Sequence, residues 1–259
     1  MKKIFLILTT AFSLSLLFPK GILAVNNLHS DRQEFQKNLD AYKNAHRETL
    51  KLREEVRGRA FATTPEKIKE YLSQTIQTVL SFLRTAREKI INSSGVTEAE
   101  RLTYLTQIDN HLAYFTAKDR EIQSDKSPDE LVNLAAEMKS HWQQAKPETL
   151  KIIQKILLSR SSTLMDKLEK TAGRLELQLE DPSVTAGKKE KSSGSFRDYR
   201  KSMSSAKENI GKIAQMLESV SCSEKADTYC RDNNTLLKDT HLYLVKAYQD
   251  LKQVANILK

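Results

Sequence analysis

Glycine and proline are scarce in this chain, 7 and 5 of 259 residues. Phosphate cradles and nucleophile elbows need glycine for tight turns and close backbone approach, so few places exist to build either. Two cysteines cannot complete a zinc site, and none of the five histidines stands at zinc-ligand spacing from another. Runs that alternate apolar and polar residues with period two, the mark of a half-buried strand, are missing. Beyond the N-terminus no apolar run is long enough to cross a bilayer. Aromatic residues are few, and Trp142 is the only tryptophan. Lys, Glu, Gln, Leu and Ala, all good helix formers, dominate what remains.

The first residues carry an address. Lys2 and Lys3 precede an apolar run from Ile4 to Phe18, and Ile22-Leu23-Ala24 offers a small residue for cleavage. This is the layout of a secretory signal peptide over residues 1–24. Fifteen helical residues rise about 22 Å, short of a roughly 30 Å hydrocarbon core. Cleavage after Ala24 is therefore expected over an uncleaved anchor, with the product in the periplasm, at the cell surface or outside the cell. The formal charge of +9 falls to about +6 once Lys2, Lys3 and Lys20 leave. A mild positive excess suits anionic envelope polymers and lipid head groups; export makes nucleic acid an unsuitable partner. Outside the cytoplasm Cys222 and Cys230 are expected as a disulfide. So short a loop is stabilised by roughly 2.5 kcal/mol in the chain-entropy treatment.

The rest is written in a helical period. Two C-terminal stretches share alternating steps of three and four: Phe196, Tyr199, Met203, Ala206, Ile210, Ile213, Leu217, Val220, then Leu237, Thr240, Leu244, Ala247, Leu251, Val254, Leu258. Such spacing lays side chains on one stripe of a helix. With the cysteines between them, the two stretches predict an antiparallel hairpin clamped at its turn. Upstream, a first helix is predicted over about Ser30 to Ala60. A second starts at Thr64-Pro65-Glu66 with the stripe Ile68, Leu72, Ile76, Val79, Leu83, Ala86, Ile90. A third opens on the capping box Thr97-Glu98-Ala99-Glu100 and carries Leu102, Leu105, Ile108, Leu112, Phe115 and Ile122. Ser127-Pro128-Asp129-Glu130 starts a fourth, and Lys146-Pro147-Glu148 reads as the fresh start of a fifth, with Leu150, Ile153, Leu157, Leu164, Leu168, Thr171, Leu175 and Leu179. Residues 181–195, rich in Ser, Lys and Gly, read as a flexible linker. The predicted fold is all-α: an elongated bundle of long antiparallel helices over 25–180 with coiled-coil-like packing, then the disulfide-clamped hairpin over 196–259. The stripe of that hairpin must pack on the fifth helix, the first helix or another copy of the chain.

Candidate sites are thin. Glu and Asp interleave with Lys and Arg along helix faces, as in solvated surfaces laced with i,i+4 pairs, and the five histidines read as surface or edge residues. The densest basic cluster is Lys188, Lys189, Lys191, Arg197, Arg200 and Lys201. It suits either a polyanion or lipid surface or a solubilising linker balanced by Glu190 and Asp198. Trp142, near Pro147, reads as a partner anchor or as core filling between splayed helices. Tyr104 and Tyr114 read as ligand-groove residues or as half-buried stripe positions with wet hydroxyls. No catalytic residue, cofactor or metal is expected.

Phe196-Arg197-Asp198-Tyr199-Arg200, with the capped starts at Thr64-Pro65-Glu66 and Thr97-Glu98-Ala99-Glu100, resembles uncharacterised secreted helical proteins of bacteria with reduced genomes. The resemblance implies an exported chain of long helices behind a signal peptide, and carries no activity or functional residue. Together these features lead to the expectation of a non-enzymatic structural or interaction protein of the cell envelope, partnered by another protein or by itself. The alternative is a module holding a hydrophobic or anionic ligand between helices.

Overall fold

In a computed structural model of the chain, the residues described are 65–219 and 226–258, side chains of 226–231 excepted. The signal peptide, the first predicted helix, Cys222 and the Cys230 side chain lie outside them. The described residues hold five α-helices and no strand: α1 Pro65–Ile91, α2 Glu98–Gln123, α3 Pro128–Glu180, α4 Ala186–Ser219 and α5 Ala226–Leu258. They fall into two compact units. One includes α1, α2 and α3 up to Leu150; the other includes Ser93–Val96, α3 from Lys151, and α4 and α5.

In the first unit α1 is the most deeply buried element. Its whole expected stripe is buried, and Leu80 and Phe82 widen it. Three threonines share this interior, and each hydroxyl donates to the carbonyl one turn back: Thr75 to Tyr71, Thr78 to Gln74, Thr85 to Ser81, at 2.8–3.0 Å. A buried hydroxyl without a partner costs free energy, and this back-bonding removes that cost. α2 begins with the expected capping box, the Glu100 amide donating to Thr97 Oγ1 at 3.2 Å and the Thr97 amide to Glu100 Oε2 at 2.9 Å. It buries only Ile108, Phe115 and Ile122, one residue every seven. Leu102, expected on that stripe, is 65 % exposed, because six residues before Ile108 puts it about 120° around the helix from the seam. α3 starts at Ser127 as expected, with Ser127 and Glu130 bonded reciprocally.

Pro147 does not start a new helix. α3 runs unbroken through it. A mid-helix proline removes one amide and orphans the carbonyl four residues back. That residue, Gln143, is exposed, so water can serve its carbonyl, and the Thr149 hydroxyl donates to Ala145 O at 2.7 Å just beside the gap.

In the second unit α4 and α5 pair along the two predicted stripes, and Leu168, Ala172 and Leu175 of α3 close the core against Phe196, Tyr199, Met203, Ala206, Leu244, Ala247, Leu251 and Val254. Residues 151–180 therefore pack with the hairpin. The α3 seam passes through Ala172, while Thr171 is exposed. A smaller cluster joins Ile213, Leu217 and Leu237. The expected linker is helical from Ala186. Thr185 starts that helix, its carbonyl accepting from the Lys188 and Lys189 amides. Ser192, Ser195 and Ser202 continue the buried stripe with small hydroxyl residues where apolar ones were sought.

The turn at Ser93–Val96 requires its glycine. Gly95 has φ +99°, and a Cβ there would lie 2.9 Å from Thr163 Oγ1 and 3.0 Å from Ser159 Oγ. Ser159 Oγ also donates to the Gly95 carbonyl. Gly95→Ala is expected to lower stability by about 1–2 kcal/mol from the left-handed backbone alone, read as a fall in thermal midpoint. An unchanged midpoint would show that the turn rearranges freely.

Candidate functional site

Trp142 is 3 % exposed and belongs to the core of the first unit. Its ring meets Phe82 edge-on at 5.6 Å and Phe115 at 6.1 Å. Tyr104 is half-buried, and burial first, then the Glu100 charge, raises its hydroxyl above the ordinary range. Tyr114 stacks flat on His141, 3.7 Å between centroids and 16° between planes.

That stack marks a constellation not legible in the sequence. His111 Nδ1 lies 3.2 Å from His141 Nε2, and His111 Nε2 lies 3.1 Å from Glu148 Oε2. Phe115 packs edge-on against His141 at 5.4 Å. The elements place these groups simply. His111 follows Ile108 by three and precedes Phe115 by four, so the buried seam of α2 carries it toward α3. His141 and Glu148 are seven apart on α3 and share one face. The His111 side chain is only 12 % exposed, Glu148 44 %. Burial first, then the charge of His111, holds His141 below the usual histidine range, with Glu148 opposing.

One turn further along α2, Lys118 lies 5.8 Å from the Tyr114 ring centre. It binds Glu137 of α3 at 2.7 Å and Glu121 at 2.9 Å. Burial pulls its ammonium down, but the hydrogen bonds to the two carboxylates outweigh it and the net shift is upward. Glu121, bonded by Lys118 and Lys126, is held below the ordinary carboxylate range. These pairs are half in solvent, so each contributes little on its own; what they fix is the register of α2 on α3.

Chemically, the histidine pair and Glu148 can form one directed chain of hydrogen bonds. An ionised Glu148 accepts from His111 Nε2–H, and neutral His111 then offers the lone pair of Nδ1 to His141 Nε2–H. The facing nitrogens are spent on each other and on the carboxylate. Among the described residues no His, Cys, Asp and Glu group of three or more is arranged to hold a metal ion.

The basic cluster is not gathered on one face. Arg197, Lys201 and Lys191 spread across the solvent arc of α4, interrupted by Glu190 and Asp198, and Lys189 lies toward its edge. Arg200 binds Glu176 of α3 at 2.8 Å, and Lys188 Nζ donates to the Leu258 carbonyl at 3.2 Å. Tyr199, buried beneath this surface, is pushed up to about 12 by burial first, then by Glu169 and Glu176. Asp250 is raised by its own burial, with Asp198 adding and Lys246 opposing.

Comparison with protein-family profiles, curated proteins and solved structures gives no match. Among the described residues no helix is long and apolar enough to cross a membrane.

Proposed function

We propose that this chain is an exported, non-enzymatic helical protein that works by surface contact at the cell envelope, and that its residues 151–259 dock on an anionic surface there. One observation carries the reading. Residues 25–150 hold 19 Lys and Arg against 19 Asp and Glu, whereas residues 151–259 hold 20 against 14. All the positive excess left after the signal sequence thus falls in the second stretch, and Lys189, Lys191, Arg197 and Lys201 are exposed. Charge spread around a helix suits a diffuse polyanionic surface better than a small anion, which needs convergent donors. Coiled-coil-like packing of the seams and a Cys222–Cys230 disulfide at the α4–α5 turn belong to the same proposal, since both hold a long apolar stripe in register.

Retention of the chain on vesicles containing phosphatidylglycerol, against vesicles of phosphatidylcholine alone, tests the docking. Binding is expected only to the anionic vesicles, falling steeply with added salt. Replacing Lys189, Lys191, Arg197 and Lys201 by Gln should weaken it more than tenfold, since each cation near such a surface contributes about 1 kcal/mol. Equal retention on both vesicles, or indifference to the four substitutions, would overturn the proposal. A ligand module built around Trp142 draws less support, because Phe82 and Phe115 already occupy the sides of its ring.

A further inference from the structure

We infer that His111 and His141 form a pH-operated joint between α2 and α3, closed while the two rings share one N–H and opened when both facing nitrogens carry protons. The inference is independent of the docking proposal and rests on the order of donors and acceptors. With Glu148 ionised and both rings neutral, the chain Glu148···H–Nε2 of His111, Nδ1···H–Nε2 of His141 is complete, over 3.1 Å and 3.2 Å. A first proton can enter at the outer nitrogen of His141 without breaking either bond, and Glu148 offsets its charge. A second must go to His111 Nδ1. Two N–H groups then point at each other across 3.2 Å, and two cations stand in a pocket closed on its sides by Tyr114 and Phe115. Like charges at that separation repel strongly when poorly hydrated.

Among the described residues, one carboxylate is bonded to the pair, against two cations. From α2 the ionisable groups on this face are Tyr104, His111, Tyr114 and Lys118; from α3 they are Glu137, His141 and Glu148. Glu137 is bound to Lys118, and Glu121 is shared by Lys118 and Lys126. From α1 comes Arg87, bound to Asp109 of α2 at 2.7 Å. Among the described residues Glu148 is the carboxylate seen bonded to this pair, through His111 Nε2.

The sign follows. The ordinary imidazole value is about 6.5; in the closed joint His141 is held below it, chiefly by burial. The open form therefore binds more protons on acidification. The joint is fully stable above about pH 6.5 and loses stability as pH falls through the depressed value.

Trp142, the sole tryptophan, adjoins His141 and packs on Phe115, so its emission reports this joint. Between about pH 7.5 and about pH 5 the emission maximum of the chain should shift to the red as solvent reaches the ring. In His111→Gln, which cannot acquire the second charge, that shift should shrink or move to lower pH. Should the variant fold poorly, imidazole NMR of the unaltered chain decides: one histidine must titrate below the ordinary range, coupled to a second. An emission maximum flat across the interval, an identical transition in His111→Gln, or two independent histidines titrating at ordinary values would each overturn the inference.

Discussion

Phe115→Ala is expected to destabilise the first unit by about 3–5 kcal/mol, the range for truncating a fully buried aromatic side chain. Phe115 has no exposed surface. Its ring meets Trp142 at 6.1 Å, His141 at 5.4 Å and Tyr114 at 5.2 Å, all edge-on. Removing it deletes three aromatic contacts beside the lost apolar burial, and leaves a cavity that the surrounding rings, fixed by one another, fill poorly. Urea titration followed by Trp142 emission measures the loss: the midpoint should fall while the slope stays unchanged. A cost below about 1 kcal/mol would mean that α2 settles inward freely, which the reciprocal cap at Thr97 and the Lys118 bridge to α3 argue against.

Pro147→Ala carries the opposite sign. An interior proline costs a helix about 3 kcal/mol relative to alanine, through the missing amide and the clash with the preceding turn. α3 bears that cost in mid-run. Alanine should restore the bond to the Gln143 carbonyl and raise the thermal midpoint, by up to about 3 kcal/mol in stability if the neighbouring turns keep their places. Ala145 and Thr149 flank the proline and are both fully buried. A fall in midpoint would show that the local backbone shape imposed by the proline is what seats those two residues.

How much of this was legible beforehand depended on what kind of signal each feature leaves. The stripes of α1, α4 and α5 could be read because apolar side chains at steps of three and four leave little else for a helix to bury. The capping box at Thr97 and the start at Ser127 were equally plain, since local hydrogen bonding sets them. Pro147 misled because proline usually ends a helix, and the exposed Gln143 and the Thr149 hydroxyl two residues past the proline are invisible to period alone. Residues 186–195 misled for a related reason: Ser192 and Ser195 occupy buried positions that an apolar pattern passes over, while the lysines between them imitate a linker. The histidine joint left no short-range trace. His111 and His141 stand 30 residues apart on different helices, and only the packing of α2 on α3 makes them neighbours. Only the inward turn of His111, between Ile108 and Phe115, follows from the spacing within α2.

The opening of α4 holds a conflict of its own. Its first turns carry Lys188, Lys189 and Lys191, and its first turn holds no acid, although the amino end of a helix is itself electropositive. Thr185 offsets part of that misfit, its carbonyl accepting from the Lys188 and Lys189 amides. The stretch that presents most charge to its surroundings is thus opposed by its own backbone field, and counter-ions gathering there would ease the opposition.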